Sequence, residues 1–288
     1  MPFLALLIVL IAAILHAISN FLFKGGRDAA AMLWWSVTIG ALWYGAFLAT
    51  QASFAMPLET WVVFIPSALA EIAYARLITF GYADGALSQV YPIARGAPLL
   101  LIALFGALFL DERLPALGYV GIALLVVGIY LASLPSLGDW ARPLRAARHR
   151  PTQIALLAAL MVTIYTLLDK IGMRSASPLV YNWWVYASIA IGFAPFVWSR
   201  ANRASTAREF RLNWRRILIA SVATVGSYLA ALIGLQMTAA SYVGSVRATS
   251  VVMGALLGWL FLKEQLGALR VFAAALMVAG LVLIAVAR

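Results

Sequence analysis

The chain has 288 residues and a formal net charge of +11 at pH 7, with 65% hydrophobic and 11% charged residues, where a soluble domain holds about half and about a quarter. So much apolar surface excludes a soluble globule, and the lack of cysteine excludes disulfides, thiolate metal sites and a cysteine nucleophile. The positive charge does not indicate nucleic acid, because it is gathered in short loops between apolar runs.

A membrane-spanning helix needs about 20 mostly apolar residues. Ten such runs occur at about residues 3–22, 30–51, 60–82, 86–109, 115–134, 153–172, 179–199, 217–237, 240–262 and 266–287. They are about twice as long as a spanning β-strand and lack strict alternation, which predicts helices. The first run has no basic leader and no small-residue cleavage site, so it is expected to be a retained span. The expected fold is an all-α membrane protein of ten transmembrane helices.

In chain order, His16 and Asn20 share a face of the first helix, and Lys24 and Arg27 follow it. Trp34 and Trp35 near the start of the second helix, and Trp183 and Trp184 near the start of the seventh, are expected to form an aromatic belt at the interface. A stacking cage for a cation is the alternative, opposed by the interior arginines. The third helix carries Glu71 near its middle, then Tyr74 and Arg76, and turns tightly at residues 82–85. On the fourth, Ser88, Tyr91, Arg95 and Pro98 share a face by helical spacing. Pro92 and Pro98 each free a carbonyl one turn back and predict an interrupted helix, as at transporter binding sites. A kink that serves packing alone is the other reading. Tyr165 and Asp169 share a face of the sixth helix, although Asp169 beside Lys170 also reads as an interfacial pair. The ninth carries Arg247 with Gly244, Ser250, Gly254 and Gly258 on its face, the last two forming a GxxxG spacing suited to close packing.

Ionisable groups at bilayer depth are costly and face a cavity or each other. Glu71 against Arg76, Arg95 and Arg247 leaves an interior excess of two positive charges, which an anionic substrate group would complete. Guanidinium forks suit carboxylate, phosphate or phosphonate. Two plainer readings stand beside this one. In the first, Glu71 pairs with one arginine to hold the hairpin while Arg76 snorkels; in the second, the arginines cap carbonyls of a broken helix.

An internal repeat organises these groups. Residues 82–132 lie over 234–284 without a gap at an offset of 152, placing Arg95 on Arg247, Gly106 on Gly258, Glu112 on Glu264 and Gly128 on Gly280. Earlier in each half, Trp34-Trp35 match Trp183-Trp184 at an offset of 149, and Lys24 matches Lys170 at 146. The halves are therefore residues 1–135 and 153–288, joined by a basic central loop at 136–152. An odd number of helices per half makes the repeats inverted, which favours alternating access.

Five plus five helices, with the acidic turns Leu110-Asp111-Glu112-Arg113-Leu114 and Leu262-Lys263-Glu264-Gln265-Leu266 before a glycine-spaced last helix, resemble the EamA-type transporters of the drug/metabolite transporter superfamily. The resemblance covers essentially the whole chain. It implies a ten-helix inverted-repeat fold, a central cavity lined mainly by helices 1, 3, 4, 6, 8 and 9, and carriage of small metabolites, often as efflux. Members of this kind are usually drawn with cytoplasmic termini. Here the loops after helices 1, 5 and 7 hold twelve Lys or Arg, so the charges put both termini outside the cytoplasm.

The expected function is secondary transport across a bacterial inner membrane, with no enzymatic reaction of its own. The cargo is a small anionic or zwitterionic metabolite such as an amino acid or a phosphorylated or phosphonate compound, and export is the expected direction. Glu71, Tyr74, Arg76, Tyr91, Arg95, Arg247, His16, Asn20 and Tyr165 are the expected substrate-binding residues. The alternative is a proton-coupled exporter of lipophilic cations that uses Glu71. Expected partners are the substrate, anionic lipid headgroups and, as a candidate coupling ion, the proton. No cofactor, metal or nucleic acid is expected, and the chain is expected to be a monomer. For a lipid-modifying enzyme, the sequence offers neither a metal-ligand cluster nor a set of nucleophile, base and orienting group.

Overall fold

The computed structural model describes the backbone of residues 1–24, 26–51, 53–83, 87–132, 134, 136–141, 150–253 and 267–287, and the side chains of these except 24, 80–83, 87–95 and 151. The described residues form α1 (Phe3–Lys24), α2 (Ala29–Gln51), α3 (Leu58–Ala83), α4 (Leu87–Phe109), α5 (Ala116–Ala132), a 3-10 turn (Leu137–Asp139), α6 (Arg150–Gly172), α7 (Pro178–Val197), α8 (Arg203–Met237), α9 (Ala240–Ala248) and α10 (Ala268–Val286), and no strand. Helices are what these sequences must form in lipid, where each backbone donor and acceptor needs a partner within its own segment. Seven of the described helices are long and apolar enough to cross a membrane.

Three elements differ from expectation. α4 is helical without a break from Leu87 to Phe109, so Pro92 and Pro98 do not interrupt it. The ninth span tightens at Thr249, whose backbone stays right-handed (φ −62°, ψ −15°), before helix resumes at residues 250–253. Thr249 closes the end of α9 by donating both its N–H, at 3.1 Å, and its hydroxyl, at 2.6 Å, to the Val246 carbonyl. Residues 203–216, expected as loop, begin α8 as a helical extension that bends at Asn213 (φ −123°, ψ 18°). Glu209 ties this extension to the α1–α2 loop by accepting the N–H groups of Arg27 and Asp28, both at 3.2 Å.

Among the described residues, several helix pairs in one half of the chain have a counterpart in the other. α1 packs on α8 as α6 packs on α3, α2 on α8 as α7 on α3, and α4 on α6 as α9 on α1. Individual bonds follow the same exchange. Trp34 Nε1 donates to the Ala190 carbonyl at 2.9 Å, and Trp183 Nε1 donates to the Ala41 carbonyl at 3.0 Å; the offset of 149 carries one bond onto the other. These indoles rivet α2 to α7, which corrects the belt reading, and Trp34 is only 8% exposed. α5 and α10 meet through glycine: a Cβ on Gly280 would lie 2.6 Å from the Gly121 carbonyl oxygen, and one on Gly128 2.9 Å from that of Ala273. The offset of 152 relates those two contacts as well.

The acidic turn after α4 has a structural task. Asp111 adopts a left-handed conformation (φ 53°), and the N–H of Glu112 returns to the Gly106 carbonyl at 3.1 Å, closing the helix end. This aims Glu112 at the start of α9, where it accepts the N–H groups of Ala240 (2.6 Å) and Ser241 (3.2 Å) and the Ser241 hydroxyl (2.7 Å). Glu112 is thus a helix cap supplied by the other half of the chain. Gly106 leaves the space for it, since a Cβ there would lie 2.8 Å from Glu112 Oε2. At the same end of the bundle, Lys170 Nζ donates to the carbonyls of Leu235 (2.6 Å) and Thr238 (2.8 Å) at the end of α8. Lysine is well placed there, because carbonyls at a helix C-terminus are unpaired and carry partial negative charge.

Candidate substrate cavity

A cavity of about 930 Å³ lies between the helices, within the size range of small-molecule sites. Its walls come from α1, α3, α4, α6, α8 and α9, joined by parts of α2, α7 and α10. Its lining includes Arg27 and Arg270 towards one end of the bundle and Asp169 and Leu235 towards the other.

Six of the expected site residues line it: His16, Asn20, Glu71, Tyr74, Tyr165 and Arg247. The side chains of Tyr91 and Arg95 lie outside the described residues, and with them the expected pairing of Arg95 with Arg247 across the cavity. Arg76 does not line the cavity. Its side chain is exposed on the outside of α3, with the guanidinium 5.7 Å from the centre of the Phe196 ring. Five residues separate Arg76 from Glu71, which turns it to another face of the helix.

The residue that changes the charge balance is Asp169, which the sequence placed on a face with Tyr165 but which was not counted among the interior charges. Asp169 is 1% exposed and lines the cavity, although it lies within one turn of the end of α6. It is no interfacial partner of Lys170, whose ammonium is spent on α8 carbonyls. Three helices cover it. Ser67 of α3 donates to Asp169 Oδ1 at 2.5 Å, Tyr181 of α7 donates to the same oxygen at 2.7 Å, and Tyr228 of α8 meets Oδ2. The Tyr228 hydroxyl also meets Glu71 Oε1, so one tyrosine joins the two buried carboxyl groups. The readable signal for Asp169 was its i, i+4 spacing from Tyr165. For Tyr228 it was the polar stripe Ser221, Thr224, Ser227 and Tyr228 along α8.

Arg247 faces this cluster from α9. Its guanidinium carbon lies 5.5 Å from the centre of the Tyr228 ring, a cation–π arrangement. Its Nε is buried and has no hydrogen-bond partner, and among the described residues no carboxylate lies within 4 Å of it. Tyr165 and Tyr186 stand around Tyr228 with ring centres at 6.4 and 6.3 Å. The arrangement therefore sets a guanidinium with an unpartnered Nε near two linked carboxyl groups in an aromatic wall. The interior excess of two positive charges expected from sequence does not hold: Arg76 leaves the count and Asp169 enters it.

A family model for EamA-like transporters matches residues 152–286. A solved crystal structure is similar over 98% of this chain and 96% of its own, with a TM-score of 0.74 at 16% identity, a likeness of fold alone. No curated protein sequence matches the chain.

Proposed function

From the match of residues 152–286 to the EamA-like transporter family, we propose that the chain is a secondary transporter of a small zwitterionic metabolite whose anionic group is held by Arg247. The carrying observation is the buried, unpartnered Nε of Arg247 across the cavity from Glu71 and Asp169. A buried charge left without a partner is costly. A carboxylate, phosphate or phosphonate on the substrate relieves that cost through the planar fork, while an amine on the same substrate faces the carboxyl groups. Amino acids and aminated phosphorylated or phosphonate compounds have this shape.

The exchange symmetry of the packing supports two inverted five-helix repeats that rock about the cavity by alternating access. The cavity reaches the end bearing Arg27, Arg270 and the basic start of α8. By the positive-inside rule that end faces the cytoplasm and both termini lie outside; the direction that we propose is export from a bacterial inner membrane. Exposed arginines at 203, 208, 211, 215 and 216 would meet anionic headgroups there. The cavity lies within one chain, and a monomer suffices.

Export of lipophilic cations is the second reading. It is favoured by the tyrosine rings around two carboxyl groups and opposed by Arg247. Counterflow in proteoliposomes separates the two with three probes: zwitterionic amino acids, dicarboxylates and tetraphenylphosphonium. The expected result is counterflow of zwitterions that Arg247→Ala removes. Counterflow of tetraphenylphosphonium alone, indifferent to Arg247→Ala, would overturn the proposal.

A further inference from the structure

The contact between Glu71, Tyr228 and Asp169 poses a question of hydrogen atoms. Tyr228 Oη lies within hydrogen-bonding reach of both Glu71 Oε1 and Asp169 Oδ2, yet a phenol has one hydrogen to donate. With both carboxyl groups ionised, one of the two contacts would set a carboxylate oxygen against a lone pair with no hydrogen between them. Both contacts are met only if one carboxyl group carries a proton and donates it to Tyr228.

The other partners say which one. Asp169 receives donors on both oxygens: Ser67 and Tyr181 at Oδ1, and Tyr228 at Oδ2. That is the environment of an ionised carboxylate, which only accepts. Glu71 has no hydrogen bond among the described residues other than the one with Tyr228. The chain of donors therefore runs from Glu71 to Tyr228 to Asp169.

We propose that Glu71, Tyr228 and Asp169 form a single-proton site, with the proton resting on Glu71, and that a substrate ammonium group displaces it one for one. This deepens the zwitterion reading above and assigns Asp169 and Tyr228 to the site. The exchange balances. Glu71 loses one proton to water in the cavity and becomes a carboxylate, Tyr228 keeps its hydrogen, and an ammonium brings one positive charge and three donors to the two carboxylates. Inward movement of substrate is then coupled to outward movement of one proton, and export to proton entry.

The charged and titratable groups around the site leave room for this exchange. Arg247 of α9 stands over the Tyr228 ring but forms no ion pair with either acid among the described residues. Lys170, next in sequence to Asp169, points to the α8 carbonyls. From α1, His16 lines the cavity. α2 offers Tyr44, which donates to the Leu179 carbonyl, and α7 offers Tyr186, which donates to that of Thr224. Tyr74 and Tyr165 of α3 and α6 meet edge to face at 6.1 Å between ring centres. On α4 the charged group is Arg95, whose side chain lies outside the described residues.

Infrared spectroscopy of the purified protein in lipid nanodiscs tests the site without a known substrate. A carboxylic-acid carbonyl band is expected at neutral pH, lost in Glu71→Gln. It is lost also in Asp169→Asn, where the Tyr228 hydroxyl is free to serve an ionised Glu71. Tyr228→Phe, which removes one oxygen and keeps the ring, is expected to retain the acid and shift its band, because the acid no longer donates. Addition of methylammonium or phenethylammonium in weak buffer should release about one proton per bound amine, with none released by Glu71→Gln. A band that survives Glu71→Gln, or amine binding without proton release, overturns the proposal. Failure of zwitterion counterflow with the band behaving as described would sink the substrate reading and leave the proton site standing. The reverse pattern sinks the proton site alone.

Discussion

Glu112 and Glu71 are both carboxyl groups withdrawn from solvent, 9% and 4% exposed, and they are held in opposite ways. Glu112 accepts two backbone N–H groups and a hydroxyl at the start of α9, so each of its oxygens is matched by donors fixed in place. Glu71 meets one tyrosine that also serves a second acid. A fully satisfied buried carboxylate rigidifies what it touches, whereas an undersupplied pair is poised to take up another cation. Burial alone does not mark a working residue. The supply of donors does.

Four outcomes would break or sharpen this contrast. The largest effect is expected for Glu71→Gln, with zwitterion counterflow lowered about 100-fold, the equivalent of roughly 2.7 kcal/mol, and the melting temperature in detergent unchanged. If that variant instead loses its fold and not its transport, the contrast fails. Next comes Glu112→Ala, which strips the α9 N-terminus of its cap. A cost of about 2–3 kcal/mol is expected from lost charge-assisted bonds and orphaned donors, read as a fall in melting temperature, with counterflow per folded molecule nearly intact. A smaller loss, about 1 kcal/mol, is expected for Trp183→Phe, which removes the bond to Ala41 and keeps most of the ring. Trp34→Phe should cost the same, because its bond to Ala190 is the exchanged counterpart; a large inequality between the two would argue against equivalent halves. The smallest effect is expected for Arg76→Gln, less than about twofold in counterflow, since an exposed charge on the outer face of α3 contributes little. A large loss there would return Arg76 to the site.

Much of the fold was legible because hydropathy and repeat register are properties of the chain alone. The spans appear as apolar runs, and the offset that superposes Trp34 on Trp183 also relates the bonds those indoles make. Other features misled for physical reasons. Pro92 and Pro98 suggested a broken fourth helix, but a proline removes one donor without forcing the backbone out of helical angles. The ninth span instead tightens at Thr249, which supplies its own hydroxyl to an end carbonyl. The basic stretch at 203–216 looked like loop because its charges hid a helix that lies outside the apolar run.

The candidate site was half legible. Glu71 and Arg247 stood out as charges within apolar runs, and that judgement needs no neighbours. Arg76 and Asp169 exchanged roles once neighbours were present. Helical periodicity gives the face on which a side chain stands, but not whether lipid, a cavity or another helix meets that face. By itself, the sequence determined a polytopic membrane protein with a few charges too costly to be idle. Only tertiary structure decided which charges share one cavity, because Ser67, Tyr181 and Tyr228 reach Asp169 from three other helices, and that convergence is set by how the helices pack.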